Sequence, residues 1–163
     1  MKAFIEGVYR GLRWLLTLLM GLLMVPIALQ IVSRFSPDIP HFIWTEEIAR
    51  FCFIWVIMIG AMIAVRDGTH FSLDIWKPSD APRVLAIQRL WVHGAMMIVA
   101  LTFAGFGVRF AQFGYAQSSE LTGLNMLTVH IAWPLAGAVF ALFLGEKIVD
   151  DLALMRQHRH GSR

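Results

Sequence analysis

Four stretches of this chain, Trp14–Ser33, Phe51–Val65, Leu90–Val108 and Leu121–Gly145, contain no Asp, Glu, Lys or Arg. A helix that crosses a hydrocarbon core about 30 Å thick needs about 20 apolar residues, each rising about 1.5 Å. Four such helices account for the length and leave little chain for an extramembrane domain. Composition agrees: 58% of the 163 residues are hydrophobic and 15% charged, where soluble chains average about 45–50% and about 25%. The mean hydropathy is +0.65. The fold class is therefore an all-α integral membrane protein with four transmembrane helices plus short interfacial or cytoplasmic helical segments. It reads as one domain over 1–163, with spans expected at about 12–33, 45–65, 84–108 and 128–145.

The first stretch is too long for a signal-peptide core of about 7–15 residues, and Ser33-Arg34-Phe35 offers no small-x-small cleavage site, so a retained helix is expected. Pro26 marks a potential kink within it. The single cysteine, Cys52, sits in an apolar run, which excludes an internal disulfide or a CxxC motif and leaves it as a small hydrophobe.

Lys and Arg are distributed unevenly. The N-terminal segment, the middle connection and the C-terminal tail together carry eleven, while the first and third connections carry three (Arg34, Arg50 and Arg109). The positive-inside bias places both termini and the middle connection in the cytoplasm. The same asymmetry explains the basic balance without nucleic acid, through topology and lipid contact.

The second span is unusual because charge stands at both of its ends. Its uncharged run, 51–65, is 15 residues or about 22 Å, so crossing about 30 Å draws in Glu46, Glu47 and Arg50. Its start falls near Pro40 or near Thr45, whose hydroxyl is a candidate cap. Glu46 and Glu47 stand four and three residues before Arg50, both within helical pairing reach. Two acids at a helix start also suit its dipole. One negative charge is left over, to be steadied by Arg34 or a partner. Beyond the run, Arg66, His70 and Asp74 recur every four residues and would share a face if the helix passed Gly68. Ionisable groups near a membrane are costly, so both clusters are candidate functional or assembly sites; interfacial anchoring is the plainer alternative.

Elsewhere the signals are weaker. His93 and His130 are candidate haem ligands or hydrogen-bonded packing groups. Gly105, Gly107 and Gly137 permit close helix packing. The six Trp fall mostly near expected helix ends, as aromatic belts do. No acid lies mid-span, and no nucleotide motif is present.

The pattern W-x-E-E-x-x-R-F-x-x-x-W, then Gly60 and Ala64, then R-x-x-x-H-x-x-x-D, resembles the DctQ-like small membrane subunit of TRAP (tripartite ATP-independent periplasmic) transporters. The matching residues are Trp44, Glu46, Glu47, Arg50, Phe51, Trp55, Gly60, Ala64, Arg66, His70 and Asp74, with Arg34 and Phe35 as an arginine–aromatic pair. The resemblance is specific over 34–74 and general elsewhere. It implies a non-enzymatic subunit of the bacterial inner membrane that has no cofactor of its own. The implied partners are a large DctM-like membrane subunit, which holds the substrate and sodium sites and moves by an elevator motion, and a periplasmic substrate-binding protein. The implied cargo is an organic acid such as a C4-dicarboxylate or sialic acid, taken up by ion-coupled symport. Arg34, Trp44, Glu46, Glu47, Arg50, Trp55, Arg66, His70 and Asp74 are then assembly residues. Two rivals predict different observations. A cytochrome anchor needs two of His70, His93 and His130 at matching depth, and a small multidrug-type carrier needs an intramembrane acid.

Overall fold

The computed structural model of the chain describes residues 2–35, 43–68 and 82–160. Every regular element in them is helical: α1 (Lys2–Phe35), α2 (Trp44–Asp67), α3 (Pro82–Tyr115), the single turn α4 (Leu127–His130) and α5 (Ala132–His160). Four segments, Lys2–Phe35, Trp44–Asp67, Leu90–Tyr115 and Leu127–Ala153, are long and apolar enough to cross a membrane. The chain is a multi-pass membrane protein.

Local chemistry sets the element ends. Helix α2 stops at Asp67 because Gly68 takes the left-handed conformation (φ 73°) and returns its N–H to the Ala64 carbonyl at 3.0 Å. Only glycine adopts that geometry without strain. The face through Arg66 thus ends with α2, and His70 and Asp74 lie outside the described residues. At its other end α2 starts at Trp44 with no side-chain cap, and Thr45 is a buried residue of the first turn, not the cap.

The fourth span is divided into α4 and α5. Pro134 has no N–H for the His130 carbonyl, and its ring crowds that carbonyl, so the helix breaks before Pro134 reaches an interior position. Helix α5 then runs unbroken through Gly145 into the charged segment to His160. Helix α1 likewise continues through Pro26.

The long helices pack in the order α1–α2–α5–α3, each against its neighbour. Consecutive helices run in opposite directions. One end of the molecule therefore collects the start of α1, the end of α2, the start of α3 and the end of α5, and is called the termini end. The other collects the start of α2 and the 116–126 connection, and is called the loop end. Helix α5 is central. Its Ala132, Ala136, Phe140, Phe143 and Leu144 are buried against Met58, Met62 and Val65 of α2 and Ala100 of α3. Where α3 meets α5, a Cβ on Gly107 would stand 2.7 Å from the Pro134 nitrogen, and one on Gly137 would stand 2.8 Å from the Ala100 carbonyl. Small residues let the two backbones touch, as helix pairs in lipid require. Gly105, by contrast, faces open space.

Candidate functional site

Each end of α2 carries a polar cluster, and the two differ in what they bind. At the termini end Arg66 is the hub. Its Nη1 donates to Glu146 Oε2 of α5 at 2.7 Å, and its Nη2 donates to Glu6 Oε2 of α1 at 3.1 Å. The guanidinium also lies 5.4 Å from the ring centres of both Tyr9 and Phe143. A planar, permanently charged fork suits this place, since it can meet two carboxylates while its faces stack on rings.

The neighbouring residues satisfy the rest of the α2 terminus. Lys147 Nζ donates to the Val65 carbonyl at 2.8 Å, placing a cation on orphan acceptors at a helix C-terminus. Tyr9 Oη donates to Asp67 Oδ1 at 2.7 Å. Further out, Lys2 pairs with Asp150 at 3.3 Å, and Arg10 with Glu6 at 3.8 Å. His93 Nδ1 lies 2.7 Å from Asp151 Oδ2 and fastens α3 to α5. Four long helices are thus joined near one end by polar side chains. The side chains of Arg66 and Glu146 are 22% and 13% exposed, so this is the least solvated ion pair that Arg66 makes.

At the loop end the acidic pair divides its duties. Arg50 Nη2 donates to Glu46 Oε1 at 3.2 Å, the expected four-residue pair, and both side chains are about two-thirds exposed (66% and 69%). Glu47 accepts a hydrogen bond from Ser119 Oγ in the 116–126 connection. Ser119 Oγ in turn accepts from the Thr122 backbone N–H and hydroxyl, at 3.2 and 3.0 Å. The connection is itself closed by Ser119 N–H to the Leu124 carbonyl (2.8 Å) and by Met126 N–H to the Gln117 carbonyl (3.0 Å). Gly123 turns it at φ 69°. Trp55 Nε1 donates to the Thr128 carbonyl of α4 at 3.0 Å, which fixes α2 to the same region.

The expected site residues therefore separate. Arg66 joins an interhelical network. Glu47 and Trp55 hold the loop end together internally. Glu46, Arg50 and Trp44 stay at the surface, and Arg34 is exposed at the end of α1. Residues that sequence reasoning missed are Glu6, Tyr9, Asp67, Glu146 and Lys147 at one end and Ser119 and Thr122 at the other. Their only signal was position: charge flanking an apolar run, and hydroxyls beside a turn.

The two histidines stand apart. His93 engages Asp151 at the termini end. His130 packs edge-on to Phe110, with ring centres 4.1 Å apart, and against Gly114. Gly114 is 21 residues beyond His93 on α3, or about 31 Å along it. The pairing at matching depth that a cytochrome needs is absent for these two. Trp133 packs on Phe103 and Phe110 within the fold, as Trp55 does against α4, whereas Trp14 and Trp91 are exposed. Cys52 is buried.

Comparison with known proteins identifies the family. The model of the family "Tripartite ATP-independent periplasmic transporters, DctQ component" matches residues 23–154. A Haemophilus influenzae protein provisionally described as a TRAP transporter small permease protein is 24% identical over 153 residues, 93% of this chain and 94% of that one. The sialic acid TRAP transporter small permease protein SiaQ of Vibrio cholerae is 24% identical over 84% of this chain and 79% of its own length. A third relative is longer: 70% of this chain matches 18% of the sialic acid TRAP transporter permease protein SiaT of Haemophilus influenzae, at 27% identity. The family consists of transporter permease components, a non-enzymatic class. The chain belongs to the DctQ component family of tripartite ATP-independent periplasmic transporters.

Proposed function

We propose that this chain is the static small subunit of a TRAP transporter, bracing a large DctM-like membrane subunit that carries substrate and coupling ion. The observation that supports it most is the match within SiaT, where a segment like this chain makes up 18% of a much longer permease protein. The isethionate TRAP transporter permease protein DctMQ of Oleidesulfovibrio alaskensis behaves alike, with 17% of its length matched. A segment that occurs both free and within a longer permease is a segment that works beside one.

The geometry supports a brace. The ion pairs of α2 lie at its two ends, and those of Arg66 run between helices, which resists sliding of one helix past another. The surface pair Glu46–Arg50, with Trp44 beside it and Arg34 on α1, is the polar patch offered to the large subunit at the loop end. Glu47 and Trp55 support that patch from within, Arg66 braces the opposite end of α2, and His70 and Asp74 extend the proposed assembly set. The coupling ion, sodium in this reading, binds in the large subunit, so this chain needs no cofactor. An organic acid of the sialic acid or dicarboxylate type is delivered by a periplasmic binding protein, and the complex sits in the inner membrane with the loop end outward.

Replacing Arg50 with Ala in the assembled transporter tests the patch. Reduced co-purification of the large subunit, with the variant still helical and membrane-inserted, is the expected result. Wild-type assembly together with wild-type uptake would overturn it. Uptake into proteoliposomes with and without a sodium gradient tests the coupling separately.

A further inference from the structure

The geometry points to a phospholipid site on the outer face of α3, with Arg109 holding the phosphate and a groove on either side of Phe106 holding one acyl chain each. One groove, of about 590 Å3, is lined by Phe103, Phe110, Phe113 and Trp133. The other, of about 480 Å3, is lined by Ile98, Leu101 and Gly105. Both include Thr102, Phe106 and Arg109. They are two channels on the sides of a single ring, and they meet at a single cation.

Three features select a diacyl phospholipid over an apolar partner surface. First, Arg109 is exposed, and among the described residues no carboxylate lies within ion-pairing distance of it; its Cζ stands 6.0 Å from the Phe106 ring centre. An unpaired guanidinium within a membrane span calls for an anion, and phosphate accepts its fork of donors. Second, the depth fits. Arg109 is six residues, or about 9 Å, from the end of the span at Tyr115. A long side chain there reaches the headgroup level by snorkelling. Third, the length fits. The first groove runs from Phe113, near that level, to Thr102, eleven residues or about 16 Å, close to half of a core about 30 Å thick, which is the reach of an acyl chain in one leaflet. Gly105 supplies the floor of the second groove because no Cβ occupies it.

Native mass spectrometry of the full chain, purified from membranes in mild detergent, tests the site with phosphatidylethanolamine and phosphatidylglycerol as probes. Wild-type protein is expected to retain one phospholipid through delipidation. Arg109→Gln is expected to reduce retention about tenfold, the loss of a charge-assisted hydrogen-bonded contact, and Arg109→Lys to restore part of it. Gly105→Leu fills one groove while leaving the cation in place, and it too should lose the lipid. Circular dichroism confirms that each variant stays helical. Retention equal to wild type in both Arg109→Gln and Gly105→Leu would overturn the proposal. So would a photoreactive side chain at position 106 in the assembled transporter that crosslinks to a protein subunit or to a second copy of this chain and not to lipid.

Discussion

Arg66 shows how one residue decides the character of a helix end. It sits between two carboxylates from different helices and between two rings, and it is only 22% exposed. Removing it leaves Glu146, 13% exposed, without its ion-pair partner, whereas Glu6, 44% exposed, is rescued in part by water and by Arg10. A fully buried broken pair costs about 3–5 kcal/mol, and the exposure of Glu6 brings the expected loss for Arg66→Met down to about 2 kcal/mol. Thermal unfolding of the purified protein in detergent reads it as a fall in midpoint. The double change Arg66→Met with Glu146→Gln is expected to recover much of the loss, because the stranded carboxylate is then gone. If the single variant unfolds like wild type, the hub assigned to Arg66 is wrong. Glu46 and Arg50 stand at the opposite extreme, since an exposed pair of this kind stabilises a helix by only about 0.3–0.5 kcal/mol. Their position at the surface matters more for a partner than for folding.

At the scale of elements, the α3–α5 contact depends on missing side chains. Gly137 lets Ala100 and Ala104 lie on its backbone, and Gly107 does the same for Pro134. Gly137→Val is expected to push α3 away from α5, shown by faster hydrogen exchange in both helices and by loss of the folded species in detergent. Gly105→Val, which meets open space, should leave exchange unchanged. Equal behaviour of the two variants would refute close backbone packing at Gly137. The sequence could not rank these glycines, since all three stand in apolar helix and differ only in which way each faces. The same limit explains what else was legible. The Glu46–Arg50 pair was readable because four residues of helix fix the geometry. The Glu6–Arg66–Glu146 set was not, because it joins residues 60 and 80 positions apart and depends on how each helix is rotated about its axis. In a soluble bundle a polar face would reveal that rotation. Here lipid and core are equally apolar, so composition marks where helices are and says little about which side meets which.

For the whole molecule, the sorting of charge between the ends sets the orientation. Lys2, Arg10, Arg66 and Lys147 all gather at the termini end, where Glu6, Glu146 and Asp150 neutralise most of them in the folded state. Insertion precedes that folding, and the bias it obeys counts Lys and Arg near the spans while acids contribute little. Eleven basic residues against three should therefore hold the termini end in the cytoplasm. Single cysteines test this in a Cys52→Ala background, with Glu120→Cys reporting the loop end and Ala153→Cys the termini end; both positions are exposed. A membrane-impermeant maleimide added to spheroplasts is expected to label position 120, and position 153 only after lysis. The reverse pattern, or labelling of both from outside, would overturn the orientation. It would also move the Glu46–Arg50 patch to the cytoplasmic face, out of reach of any periplasmic protein. The orientation experiment thus decides which partners the loop end can meet before any of them is isolated.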